Sequence, residues 1–252
     1  MVKILFFLVL TELPITKTII IFFDDSLVFD IDNNRTCQNI AEVPEELYNV
    51  QGAFSGLSPI GTPLICGGII SEYHTTTCFE LTISKKWVKY NHHFNGQRAY
   101  GASARFDGML VAAIGGTDCI NVEVLTMDGW QTTRYPGGYY DLVGACAVAV
   151  DSSMILIIVR NGNTKFFDIN TKEFDDGPEL LSPREDSACG FHKKTNCVLV
   201  VGGIDVSNTE MPFSEALCMS NEPLKWQRGP GFPQGQNIFE NVLTIADGYF
   251  KI

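Results

Sequence analysis

The residues of this chain that could do chemistry are its histidines, its cysteines and a few paired carboxylates. His92 and His93 are adjacent, so on an extended segment their rings point to opposite sides and cannot close on one ion. His74 has no second ligand recognisable near it. The four histidines do not alternate with the eight cysteines, and no two cysteines form a C-x-x-C pair, so structural zinc is not expected. Carboxylates pair at Asp24-Asp25, Glu45-Glu46 and Asp175-Asp176, each beside a strand end where acidic residues mark solvated turns. An acid and a base acting across a cleft would come from different segments instead. There is no G-x-S-x-G elbow and no G-x-x-x-x-G-K phosphate loop. No catalytic residue, metal ligand or cofactor is expected.

The eight cysteines, Cys37, Cys66, Cys78, Cys119, Cys146, Cys189, Cys197 and Cys218, read better as disulfides of an exported protein. Lys3 followed by the apolar run Ile4 to Leu10 and then Pro14 has the form of a secretory leader over 1–17. The other reading of that run is a buried strand. Asn34-Arg35-Thr36 is an N-glycosylation sequon, with Asn34 the acceptor. No apolar run is long enough to span a membrane. The net charge is −11 and the basic residues form no run, which disfavours nucleic acid and anionic membrane surfaces as partners. With 45% hydrophobic residues in 252, the chain can bury a sizeable core.

The elements that position these residues repeat about every 45 residues. Three apolar strands end in glycine pairs: Leu64 to Gly67-Gly68, Val111 to Gly115-Gly116 and Val198 to Gly202-Gly203. A fourth, Ile155 to Val159, is followed by Arg160-Asn161-Gly162, a degraded version of the same ending. Each is preceded by a short strand and a tight turn and followed by a third strand. A large aromatic, Trp87, Trp130, Phe174 or Trp226, then opens a fourth strand. The unit is a four-stranded antiparallel sheet, and the chain is all-β. Ser26 to Asp32 and Thr36 to Val43 look like a third and fourth strand without a first pair. Phe239 to Asp247 and Tyr249 to Ile252 look like a first strand and a beginning second.

The diglycines and the spaced aromatics beyond them resemble the kelch repeat, as do Arg98 and Arg184 at the start of first strands. The resemblance implies a β-propeller over 18–252. Its blades would span about 18–48 (partial), 49–95, 96–138, 139–182, 183–232 and 233–252 (partial). Joined, the two partial segments give a fifth blade; a six-bladed ring would need one more. On this scheme Cys66 faces Cys78 within one blade, while Cys197 pairs with Cys189 across a hairpin or reaches Cys218. Galactose oxidase shares the kelch-type ring, but nothing here maps onto its copper ligands, and the sialidase S-x-D-x-G-x-T-W box is absent.

In such a blade the second-to-third loop and the link to the next first strand leave the same end. That end would carry Tyr73, His74, Asp118, Arg134, Tyr135, Tyr139, Tyr140, Arg184 and Asp205. Aromatic and arginine side chains anchor interfaces. The opposing view is that Arg98 and Arg184 bond neighbouring blades and the tyrosines cap the core. The sequence therefore points to a secreted, disulfide-containing, non-catalytic module that binds a protein or a glycan. The alternatives are a galactose-oxidase-like or glycan-processing propeller enzyme and an intracellular kelch adaptor.

Overall fold

The computed structural model describes residues 44–231, apart from 48–49, 71, 83, 85, 107–108 and 118, together with the backbone of the strands outside that range. It is all-β, with five four-stranded antiparallel sheets in sequence order, the second and third joined by one parallel pairing of Leu57 with Met109. Sheet I is β1 (Phe6–Leu10), β2 (Thr18–Phe22), β3 (Ser26–Asp30) and β4 (Arg35–Cys37). Sheet II starts with β5 (Phe54–Leu57) and β6 (Pro63–Cys66). A small hairpin, β7 (Ile69–Ile70) and β8 (Tyr73–His74), then leads to β9 (Cys78–Leu81) and β10 (Trp87–Lys89). Sheet III is β11 (Ala102–Phe106), β12 (Met109–Ile114), β13 (Asn121–Thr126) and β14 (Gly129–Arg134). Sheet IV is β15 (Cys146–Ala149), β16 (Met154–Ile158), β17 (Thr164–Asp168) and β18 (Phe174–Gly177). Sheet V is β19 (Ala188–His192), β20 (Cys197–Val201), β21 (Phe213–Cys218) and β22 (Trp226–Gly231). The hairpin β23 (Thr244–Ala246) and β24 (Tyr249–Lys251) follows.

The chain forms two compact units, 1–133 and 134–252. In the first, the run read as a leader contributes β1, which pairs with β2 from Phe6 opposite Phe22 to Leu10 opposite Thr18. These two strands supply the first pair that the sequence reading left out of the amino-terminal sheet. The glycosylation acceptor Asn34 lies outside the described residues.

The register repeats closely. The opening residue of each first strand lies opposite the residue before the diglycine position: Phe54 with Cys66, Ala102 with Ile114, Cys146 with Ile158 and Ala188 with Val201. Both glycines of each pair adopt left-handed φ, from 59° to 104°. A Cβ on the second glycine would sit 2.9 Å from the Gln51 carbonyl oxygen at Gly68 and 2.5 Å from those of Ala99 and Glu185 at Gly116 and Gly203. The glycines thus let the end of the second strand close on the entry of the first. In sheet IV, Val159 to Gly162 makes a tight turn instead, with Val159 N–H donating to Asn163 O and Gly162 N–H to Val159 O. With no long loop to launch, that sheet needs no diglycine. Replacing Gly203 by alanine should cost two to three times as much as replacing Gly61, where about 1 kcal/mol is expected. Gly61 has φ 82° but open space around its Cα. Urea denaturation of the two variants measures the difference.

Within each unit, successive first strands are neighbours. Two residues ahead of each lies a left-handed residue: Gly52, Tyr100, Gly144 and Asp186, with φ between 54° and 66°. Tyr100 N–H donates to Gly52 O at 3.0 Å in the first unit, and Asp186 N–H donates to Gly144 O at 3.0 Å in the second. Arg105 adds a link from β11 to Ser55 O of β5 at 2.7 Å, and burial draws its guanidinium down to about 10.

Apolar side chains fill the space between sheets II and III, where Phe54, Phe94, Leu125 and Trp130 meet. Another cluster, with Leu156, Val198, Leu217 and Trp226, lies between IV and V. Trp226 is anchored there by donating to Pro178 O at 2.8 Å.

Three disulfides are formed. Cys66–Cys78 joins register partners of β6 and β9, as expected. The expected Cys189–Cys197 bridge is not formed. Cys189 lies opposite Val200, three residues from Cys197, so the two thiols project from opposite faces of sheet V. Cys197 pairs instead with its register partner Cys218, the other option raised above. Cys189 turns to Cys146, stapling β19 to β15 with Cα atoms 6.1 Å apart. Cys119 is a buried free thiol. Three disulfides indicate an oxidising environment. Among the described residues no helix is long and apolar enough to cross a membrane.

Candidate binding site

Strand alternation brings the second-to-third loop and the fourth-to-first link of each sheet to one end of it. The structure separates the residues expected there into buried and exposed groups. Arg184 is a correction: its side chain is fully buried and bonds within its own sheet. It meets Glu215 of β21 at 2.5 Å and donates to Gly202 O and Phe213 O at 3.1 and 3.0 Å. Glu215 in turn accepts from the backbone N–H groups of Leu181 and Ser182, at 2.8 and 3.1 Å, and so fastens the preceding link. Arg98 does the same in sheet III with Glu123, Ala113 O and Asn121 O. There Glu123 accepts from Asn95 N–H at 2.8 Å. Burial pulls both guanidinium groups below their ordinary value, and the facing carboxylates work against it. The two guanidinium groups therefore hydrogen-bond within their own sheet rather than across to a neighbour.

Tyr135 is the second correction, since it is 2% exposed. Its ring packs edge-on against Phe174 at 5.7 Å, and burial, then Asp141 and Asp176, pushes its phenol up to about 12. Asp205 is a turn residue: its carboxylate accepts from Ser207 N–H at 2.8 Å and Thr209 N–H at 2.9 Å. Asp118 and the Tyr139 side chain lie outside the described residues.

What remains at the surface is Tyr73, 78% exposed, with the half-buried His74, and in the second unit Tyr140 and Arg134. Two further exposed apolar side chains sit in the same class of loop and were not anticipated, Leu181 and Val206. The second unit also places Arg160 against Glu185 at 2.9 Å there, beside Asp186, whose carboxyl is pushed up by burial and pulled back by Arg160.

In the first unit the loop end of sheet II holds a cavity of about 310 Å³. It is lined by Glu46, Ile70, Tyr73, His74, Thr75, Thr77, Phe79 and Lys89. Its position follows from the register. Ile65 lies opposite Phe79, as Ala113 lies opposite Glu123 and Val200 opposite Glu215. Phe79 thus stands where sheets III and V carry the clamping carboxylate, and Val50 stands where they carry arginine. Without that carboxylate, the link Glu45–Leu47 is not fastened to the third strand in this way, and the hollow lies between them. Within its lining, Lys89 Nζ pairs with Glu46 Oε1 at 3.6 Å. His74 lies 3.4 Å from Thr117 Oγ1. Thr75, Thr77, Lys89 and the role of Glu46 were missed; aligning the repeats on their diglycines would have exposed the missing carboxylate.

His92 meets Tyr90 edge-on at 5.5 Å, and His93 Nδ1 lies 3.1 Å from Phe94 O. Among the described residues no three His, Cys, Asp or Glu side chains gather where they could hold a metal. The chain matches no family model and no curated protein.

Proposed function

We propose that this chain is a secreted, non-catalytic binding module, built as a kelch-like β-propeller and recognising a protein or glycan through the loop ends of its sheets. The observation that carries the reading is where large apolar side chains stand in water. Tyr73 in the first unit and Tyr140, Leu181 and Val206 in the second all occupy second-to-third loops or fourth-to-first links. Among the described residues, only Ile60 and Met127 are comparably exposed on turns of the other end. Exposed aromatic and aliphatic groups collected on one class of loop are the usual mark of an interface. The propeller part of the proposal is supported by the diglycine entries, the shared register and the succession of neighbouring first strands.

The test uses the full chain secreted from insect cells and applied to an array of extracellular proteins and glycans. Binding should fall about tenfold or more in Tyr140→Ser/Leu181→Ser/Val206→Ser. Binding that survives this triple variant but is lost in Ile60→Ser/Met127→Ser would overturn the choice of end. Stoichiometric copper in the purified protein would favour the oxidase-like alternative. Retention in the lysate with reduced thiols would favour the intracellular adaptor.

A further inference from the structure

The cavity beside Phe79 has the chemistry of a carbohydrate site, and we infer that it binds a neutral hexopyranose residue of a glycan. The inference rests on the loop-end reading above and adds the ligand class. At about 310 Å³ the hollow is at the small end of ligand pockets, which run from roughly 300 to 1,000 Å³, and suits a sugar ring rather than a folded surface.

Its lining presents every kind of group a pyranose uses. The half-buried Ile70, over the deeply buried Phe79, gives the hollow an apolar side for the C–H face of a ring. Tyr73, standing almost free at the rim, offers a second aromatic face and a hydroxyl. Thr75 Oγ1 accepts the Thr77 amide proton at 3.0 Å, and its rotatable hydroxyl proton can be donated to a ligand. Thr77 adds another hydroxyl. Glu46 and Lys89 form an ion pair in the lining of the hollow, 3.6 Å apart, and both keep more than half their side-chain surface in water. Their charges cancel. An anionic ligand would meet Glu46 and a cationic one Lys89, whereas sugar hydroxyls donate to the first and accept from the second. A wholly apolar ligand would leave both charges desolvated without partners.

Saturation-transfer NMR on the intact protein tests this with methyl glucopyranoside, galactopyranoside and mannopyranoside, and with N-acetylglucosamine. At least one should receive saturation at its ring protons. Tyr73→Ala should weaken that transfer about tenfold, and Tyr73→Ala/Lys89→Met should abolish it. Both residues are exposed, so the variants keep their fold, which an unchanged near-ultraviolet circular dichroism spectrum verifies. Met127→Ser, at the other end of sheet III, should change nothing. No transfer to any of the four sugars, or transfer that persists in the double variant, overturns the assignment. The array experiment is read separately: loop-dependent capture of a protein without sugar transfer removes the carbohydrate ligand and leaves the binding module intact.

Discussion

Glu215→Gln should destabilise the second unit by about 3–5 kcal/mol, because it leaves the fully buried Arg184 guanidinium without its counter-charge. The loss should show as a lower urea midpoint for the second unit, followed by the fluorescence of Trp226. It should also free the link, since Glu215 is the acceptor for Leu181 and Ser182 N–H, and hydrogen exchange at those two amides should rise. The companion double variant Arg184→Met/Glu215→Leu should recover much of the loss. A buried ion pair gains little over apolar groups of similar volume, while half of one is costly. The protein contains the apolar solution at the same register, in Val50 and Phe79 of sheet II. A double variant as unstable as the single one would contradict this account of the pair.

Removing the Cys146–Cys189 bridge should be nearly as severe. Its ends are 43 residues apart, and closing a loop of that length in the unfolded chain corresponds to about 4 kcal/mol. The 21-residue Cys197–Cys218 loop corresponds to about 3 kcal/mol. The location matters more than this difference. Cys197–Cys218 reinforces two strands that already share a ladder, whereas Cys146–Cys189 ties together the first strands of two sheets. Cys146→Ala/Cys189→Ala should therefore raise hydrogen exchange throughout β15 and β19, and Cys197→Ala/Cys218→Ala should disturb only the end of one hairpin. Equal and local effects in both variants would sink this distinction.

The sheets were legible in the sequence because their punctuation is backbone-driven. A diglycine with both φ positive is needed where a second strand closes on a first and then runs into a long loop, as in sheets II, III and V, and no other residue substitutes cheaply. The buried arginine clamps were not legible, although Arg98 and Arg184 were noticed. Their partners Glu123 and Glu215 stand at different distances beyond Gly116 and Gly203, because the intervening loops differ in length. A fixed-spacing search cannot join them; only the strand register does. Tyr135 was misread for a related reason. Parity says at which end of a sheet a link emerges, not which of its side chains fold back, and Phe174 was there to receive the ring. The Cys189 pairing failed on an odd offset across the hairpin, which the sequence does not reveal until the turn is counted. At the amino terminus, an apolar run such as Phe6 to Leu10 satisfies a leader and a strand equally, since neither imposes a period on so short a stretch.

The left-handed entry residues divide sheets II to V into two kinds. They alternate: glycine at 52, tyrosine at 100, glycine at 144, aspartate at 186. The clamp alternates with them, present with Tyr100 and Asp186 and replaced by Val50 with Phe79 and by Leu142 with Lys165 beside the two glycines. Each glycine is also the member whose missing Cβ makes room for its successor: that atom would lie 2.6 Å from Tyr100 N at Gly52 and 2.7 Å from Asp186 Oδ1 at Gly144. Sheets II to V thus fall into two pairs, in each of which a permissive member is followed by a clamped one. A side chain at either glycine would collide with the entry of the sheet that follows.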